Sequence, residues 1–295
     1  MAFPFRIETR RAFWITVALC MLALGPLSVP DMLNAEERTA VSLPPSPRIQ
    51  AFRPGESLTY DISWSKIVTA GTAVMEVKQE TKPDRKELLR FIVTSRTVGM
   101  MGKLYPMGDT IWSVFDPQIM QSLSFSLTAS RGKRTRRKGL IFDHARKTAV
   151  STTNDDPPET IAIPDQVQDT LSALYYLRTR EDLDSGRPIT FEVCDHGKTW
   201  PVTVQTVGRE KVQTPAGKFA TLKVKAQKGL FMSEGEIFIW FTDDSRKVPV
   251  LIKSTVSIGS LVFTLTEMKT AETMREMQRG DASAEGETGT LKRDE

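Results

Sequence analysis

Between residues 56 and 268 apolar and polar positions alternate in short runs. In Phe219-Ala220-Thr221-Leu222-Lys223-Val224-Lys225-Ala226 the even positions are apolar and most odd ones polar. Leu261, Phe263 and Leu265 share one face of the next clear run. Trp200, Val202 and Val204 alternate with Thr199, Thr203 and Gln205, and Ala73, Met75 and Val77 with Thr72, Glu76 and Lys78. A period of two gives each strand one buried and one wet face, the signature of antiparallel sheet. The pattern predicts strands at 56–65, 70–80, 88–97, 109–115, 119–129, 135–143, 147–153, 188–194, 199–209, 219–228, 235–242, 248–257 and 260–268. Turn residues separate them at Asp116-Pro117, Asp195-His196-Gly197-Lys198, Thr214-Pro215-Ala216-Gly217 and Asp243-Asp244-Ser245. So many strands joined by short turns make a meander that must curl or close. The expected fold is all-β: an antiparallel meander curled into a barrel or half-barrel.

One segment departs from this period. Within 165–178, Val167, Leu171, Leu174 and Arg178 fall on one helical stripe, flanked by Tyr175 and Leu177. Asp165 or Asp169 is placed to cap the first turn, and Gly186 lies beyond the end. A lone amphipathic helix has to pack its stripe on the sheet, as a plug or a lid.

The two ends of the chain read differently. Arg6, Arg10 and Arg11 precede the apolar run 12–25, the layout of a secretory signal peptide, with Ala35 as the expected cleavage position. Cleavage there removes Cys20 and leaves Cys194 alone, so no internal disulfide is expected. Residues 36–51 form a Pro-rich lead-in, 52–270 a single β domain, and 271–295 a charged tail without aromatic residues, read as disordered.

Composition narrows the function. The chain has 295 residues, 40 Lys and Arg against 36 Asp and Glu, two His and two Cys. A net charge of +4 gives no footprint for nucleic acid. Two His and two Cys leave little for a metal centre or a Cys–His catalytic pair. No G-x-S-x-G, P-loop, G-x-G-x-x-G or H-E-x-x-H motif occurs. No metal and no cofactor is expected.

The pieces Phe52-Arg53-Pro54-Gly55-Glu56-Ser57-Leu58-Thr59-Tyr60, Trp64, Ala70-Gly71, the run from Gln168 to Arg178, Thr214-Pro215-Ala216-Gly217-Lys218-Phe219 and the run from Trp240 to Val250 together resemble an exported bacterial family, domain of unknown function 3108. The resemblance spans roughly 50–268. It implies export to the periplasm or cell envelope and a β-rich fold, and it supplies no catalytic residue. A looser likeness, of architecture only, is to periplasmic half-barrels that carry lipoprotein acyl chains.

Candidate site residues fall into two groups. Asp169, Tyr175, Tyr176 and Arg178 on the helix, with Trp240, Asp244 and Arg246 near the last turns, are candidates for a ligand site. Asp165 and Asp169, four apart, are a possible acid–base pair or simply acidic residues in a first helical turn. Asp244 and Arg246 are expected to pair across their turn. The second group is the basic run 131–138, in which Arg134, Arg136, Arg137 and Lys138 are candidates for contact with lipid or another envelope polyanion. The competing reading is a solvated hairpin whose cations guard a sheet edge. On an extended chain Arg134, Arg136 and Lys138 share a face that continues through Leu140 and Phe142. The leading function is a non-enzymatic envelope protein that binds a hydrophobic or amphiphilic ligand, or an assembly partner. Alternatives are a hydrolase of envelope glycan or lipid using Asp169, Asp244 and Tyr175, and a structural module with a filled core.

Overall fold

The structure, a computed structural model, describes residues 51–64, 68–82, 85–195, 197–226, 236–256 and 259–270. The expected signal peptide, most of the lead-in, the tail and His196 lie outside them.

Among the described residues, fifteen strands form one sheet. The first eight are β1 (Ser57–Trp64), β2 (Val68–Lys82), β3 (Arg85–Thr97), β4 (Met107–Asp116), β5 (Gln121–Arg131), β6 (Arg134–Asp143), β7 (Thr148–Thr153) and β8 (Glu159–Ala162). The rest are β9 (Val167–Asp169), β10 (Ile189–Asp195), β11 (Lys198–Thr214), β12 (Gly217–Ala226), β13 (Glu236–Thr242), β14 (Pro249–Val256) and β15 (Gly259–Lys269). A short helix, α1 (Gly99–Leu104), joins β3 to β4, and α2 (Thr170–Thr179) follows β9.

The spatial order is β8-β7-β6-β5-β4-β3-β2-β1-β15-β14-β13-β12-β11-β10-β9. Every neighbouring pair is antiparallel except β9 with β10. The order ends on β8 and β9, which do not pair, so the curled sheet is not closed into a continuous barrel. It nevertheless curls far enough for β9 to lie against β5. All thirteen expected strands are present, and β11 runs five residues further than its alternation suggested. The inward face carries the apolar members of the alternation: Tyr60, Met75, Phe91, Phe115, Leu127, Val204, Val224, Ile239 and Leu265 are all buried.

The helix begins later than expected. Gln166 takes a left-handed backbone (φ 57°), which breaks any helix before it. Val167 is therefore the start of β9, paired in parallel with Glu192, and not part of the helical stripe. Asp165 likewise lies off the helix and pairs with Lys147 at 3.0 Å, so Asp165 and Asp169 do not share a helical face. Leu171, Leu174, Tyr175 and Leu177 are buried, and α2 packs on β4, β5, β9 and β10.

Candidate functional site

The helix carries four of the sequence candidates, and the structure builds three of them into the core. Asp169 is the N-cap of α2: its Oδ1 accepts from the backbone N–H groups of Leu171 (2.7 Å) and Ser172 (2.8 Å), while the Ser172 hydroxyl accepts from the Asp169 N–H. Its Oδ2 accepts from Ser113 and Ser122, both at 2.5 Å. The cap thus fastens the helix to β4 and β5. Burial raises the Asp169 carboxyl above its ordinary range, and the bonds from Ser113, Ser122, Ser172 and Leu171 offset only part of that rise.

Tyr175 stacks flat on Phe91, with centroids 3.7 Å apart and planes 4° apart, and Phe52 meets both rings edge-on. Burial drives its hydroxyl far above the usual phenol range. Arg178, 1% exposed, forks onto Glu56 at 2.6 and 2.8 Å and donates to the carbonyls of Ala51 (2.8 Å) and Arg246 (3.1 Å). One guanidinium therefore ties α2 to the segment before β1 and to the β13–β14 turn. Tyr176 is half-buried, tilted against Phe191 and bonded through its hydroxyl to Arg180 at 3.2 Å.

Asp244 and Arg246 do pair across their turn (2.9 Å). Asp244 Oδ1 also accepts from the N–H groups of Arg246 and Lys247 and from the Thr242 hydroxyl. Burial would raise its carboxyl, but the bonds from Arg246 and Thr242 win and hold it below the ordinary range. This turn sets the Arg246 carbonyl where Arg178 reaches it. Asp169 and Tyr175 are fully buried while Asp244 is fixed in a turn. The three residues of the hydrolase alternative do not converge on one open cleft.

In the basic run, Arg134 and Arg137 are exposed and Arg136 is half-buried. Lys138 is a correction: it is not a surface cation. Leu140 and Phe142 are on the core side of β6, and the strand alternation carries Lys138 inward with them. It faces Asp195 on β10, across the unpaired seam of the sheet. Burial lowers the Lys138 ammonium to about 8 against the opposing pull of Asp195, and burial raises the Asp195 carboxyl to about 6 against the pull of Lys138.

Trp240 lines an open cleft. The register aligns Trp240 with Leu251, Leu251 with Thr264, and Thr264 with Asp61, in a row on the face opposite the core. The outer half of β11 stands over this row. A bulge at Thr206–Gly208 bends the strand, and the N–H of Ala216 at the tip of the β11–β12 hairpin donates to the Leu265 carbonyl at 3.4 Å. Between the β11 arm and the sheet lies a cleft of about 590 Å³. The sheet side contributes Trp240, Leu251 and Asp61, and the arm contributes Glu210, Lys211 and Val212, so each side carries apolar and charged groups. The Trp240 indole N–H donates to Glu210, and the Lys223 ammonium sits 5.1 Å from the ring centroid and 3.6 Å from Glu210.

Residues 59–266 match the family described as Protein of unknown function (DUF3108). No curated protein matches the chain. Among solved structures, the chain is similar to a β-barrel-like protein of the domain of unknown function DUF1849 from Brucella abortus, with 11% identity and a TM-score of 0.50 over 74% of this chain and 98% of that one. It also matches a Bacteroides fragilis protein described as exported with a YmcC-like fold (14% identity, TM-score 0.31, 74% and 97% covered). A third match is a Parabacteroides distasonis protein described as a lipoprotein (11% identity, TM-score 0.30, 74% and 96% covered). The Brucella likeness bears on the fold alone, and the other two are too loose to bear on fold or function.

Proposed function

Since the chain belongs to the DUF3108 family, whose description assigns no activity, we propose from the cleft itself that the protein is a non-enzymatic, exported envelope protein that holds an amphiphilic ligand beneath the β11 arm. The observation that carries this reading is the cleft of about 590 Å³, in which Trp240, Leu251 and Asp61 on the sheet face Glu210, Lys211 and Val212 on the arm. That volume falls within the ~300–1,000 Å³ of small-molecule sites. Apolar and polar side chains side by side in one cleft suit a ligand with a hydrocarbon part and a hydrogen-bonding head. Glu210 is engaged by Trp240 and Lys223, so it positions the Trp240 ring. The basic n-region and apolar run of residues 6–25 support export.

The test is uptake of a fluorescent amphiphile, N-phenyl-1-naphthylamine, by the intact protein, together with mass spectrometry of lipids that copurify from native envelope. Wild type should bind the probe with quenching of Trp fluorescence. Val212→Asp, which places a charge beside Trp240 and Leu251, should weaken uptake at least tenfold in protein that still unfolds cooperatively. A wild-type protein that neither takes up the probe nor copurifies with an amphiphile would remove the reading.

A further inference from the structure

Antiparallel alternation puts the β3–β4 and β5–β6 connections at the same end of the sheet. It is the end opposite to Glu56 and the β13–β14 turn, where Arg178 is anchored. The β3–β4 connection holds α1, none of whose residues is buried. Met100 is 77% exposed, Leu104 62% and Tyr105 38%. Single exposed apolar residues are ordinary on any protein, but three from one short connection form a patch.

This connection is held in shape. The Thr97 hydroxyl donates to the Tyr105 carbonyl (2.9 Å) and accepts from the Met107 N–H (3.0 Å), closing the neck. The N–H of Gly102 donates to Val98 O and that of Tyr105 to Met101 O. Gly102 lies so close to the strand that a Cβ there would stand 2.9 Å from the Thr97 carbonyl oxygen. A six-residue helix does not persist by propensity alone; the neck and this close approach hold it, with its apolar side chains pointed at solvent and not at the core.

The β5–β6 turn is bonded to the same feature, because the Gly132 N–H donates to the Pro106 carbonyl at 3.0 Å. That bond sets the exposed Lys133 and Arg134 beside the patch, and α1 adds the exposed Lys103. Arg131 is neutralised by Asp109, with its Nη2 3.0 Å from Oδ2. Among the described acidic residues of this end, Asp155, Asp156 and Glu159 are exposed at the β7–β8 connection next to Arg137, whose N–H donates to Asn154, and Glu236 at the start of β13 pairs with Lys225. Apolar side chains flanked by cations are the chemistry of an interfacial anchor.

We propose that this end of the curled sheet docks on the surface of an anionic phospholipid bilayer, with Met100 and Leu104 entering the interface and Lys103, Lys133 and Arg134 on the headgroup phosphates. The contact is independent of the cleft, which opens on the outer face of the sheet.

Co-sedimentation of the intact protein with phosphatidylglycerol–phosphatidylcholine vesicles tests it, against pure phosphatidylcholine and over a range of salt. Wild type should bind the anionic vesicles and weaken as salt rises. Lys133→Ser with Arg134→Ser should weaken binding on the order of 25-fold at low salt, about fivefold per charge, and flatten the salt dependence. Met100→Asp with Leu104→Asp should weaken it more than tenfold with an unchanged melting temperature, since neither side chain is buried. Three outcomes overturn the proposal: wild type that ignores anionic vesicles at low salt, a Met100/Leu104 variant that binds as well as wild type, or a patch that captures a protein partner while binding no vesicle.

Discussion

Arg178→Met is the substitution that separates a helix built to hold the fold from one built to meet a ligand. The guanidinium is 1% exposed and its Glu56 partner 10%. Removing it leaves the Glu56 carboxylate buried without a cation and the carbonyls of Ala51 and Arg246 without their donors. Breaking a buried pair from one side costs about 3–5 kcal/mol, and each orphaned carbonyl adds roughly 1–3 kcal/mol where water cannot reach it. A total near 5 kcal/mol or more is expected. In a domain of this size about 1 kcal/mol moves the melting temperature by 2–4 °C, so the loss should be roughly 10–20 °C. Glu56→Gln keeps the shape and one acceptor and should cost less than Arg178→Met. The double variant Glu56→Leu/Arg178→Met removes both charges and should recover about 2 kcal/mol or more relative to Arg178→Met, a coupling that a double-mutant cycle in urea measures directly. Uptake of the fluorescent amphiphile at low temperature should be unaffected in each. An Arg178→Met protein less than about 1 kcal/mol below wild type would refute the argument, as would a double variant less stable than either single one.

Two other outcomes follow from the core and the seam. Leu174→Ala, at a buried position of α2, should cost about 2–5 kcal/mol in denaturant unfolding; an unchanged midpoint would put the helix off the core. Asp195 titrates near 6 when folded and 3.8 when unfolded, so the folded chain binds its proton more tightly and stability from this group falls as pH rises from 3.8 to 6. Lys138, lowered from 10.5 to about 8, acts in the other limb, adding stability as pH climbs from 8 to 10.5. Urea midpoints across pH should show Asp195→Asn flattening the first limb and Lys138→Met the second; slopes identical to wild type would mean the pair does not face across the seam.

What the sequence revealed and what it hid divide by distance along the chain. Strand alternation is local, so thirteen strands were legible to within a few residues over most of their ends. β8 was not, because Glu159–Ala162 is short and mostly exposed and has no apolar alternation. α1 was missed because Gly-Met-Met-Gly-Lys-Leu is too short for helical periodicity. Leu171 and Leu174 were correctly placed on a stripe, but Val167 completed that stripe only on paper. Arg178 stood out by its position among apolar residues, yet its partner Glu56 lies 122 positions away and no local pattern announces it. The cleft was hidden for the same reason: Trp240 was singled out, while Asp61, Leu251 and Glu210 come from β1, β14 and β11, and only strand order and the bend in β11 bring them together.

The strand order also sets a schedule. β1 pairs with β15, the first strand with the last: Tyr60 lies opposite Leu265, and the Thr266 hydroxyl donates to the Thr59 carbonyl across 207 positions. β1 to β8 on one side and β10 to β14 on the other are chains of hairpins that assemble from near neighbours. The joint in the middle waits for β15. Until then β1 and β14 are bare edges, open to pairing with any other extended chain, and the long loop closure makes the final zipping slow beside hairpin formation. For the exported chain proposed above, that delay is useful. The leading half cannot lock into the finished sheet while the trailing half is still being threaded across the membrane, and completion falls to the compartment where the last strand arrives.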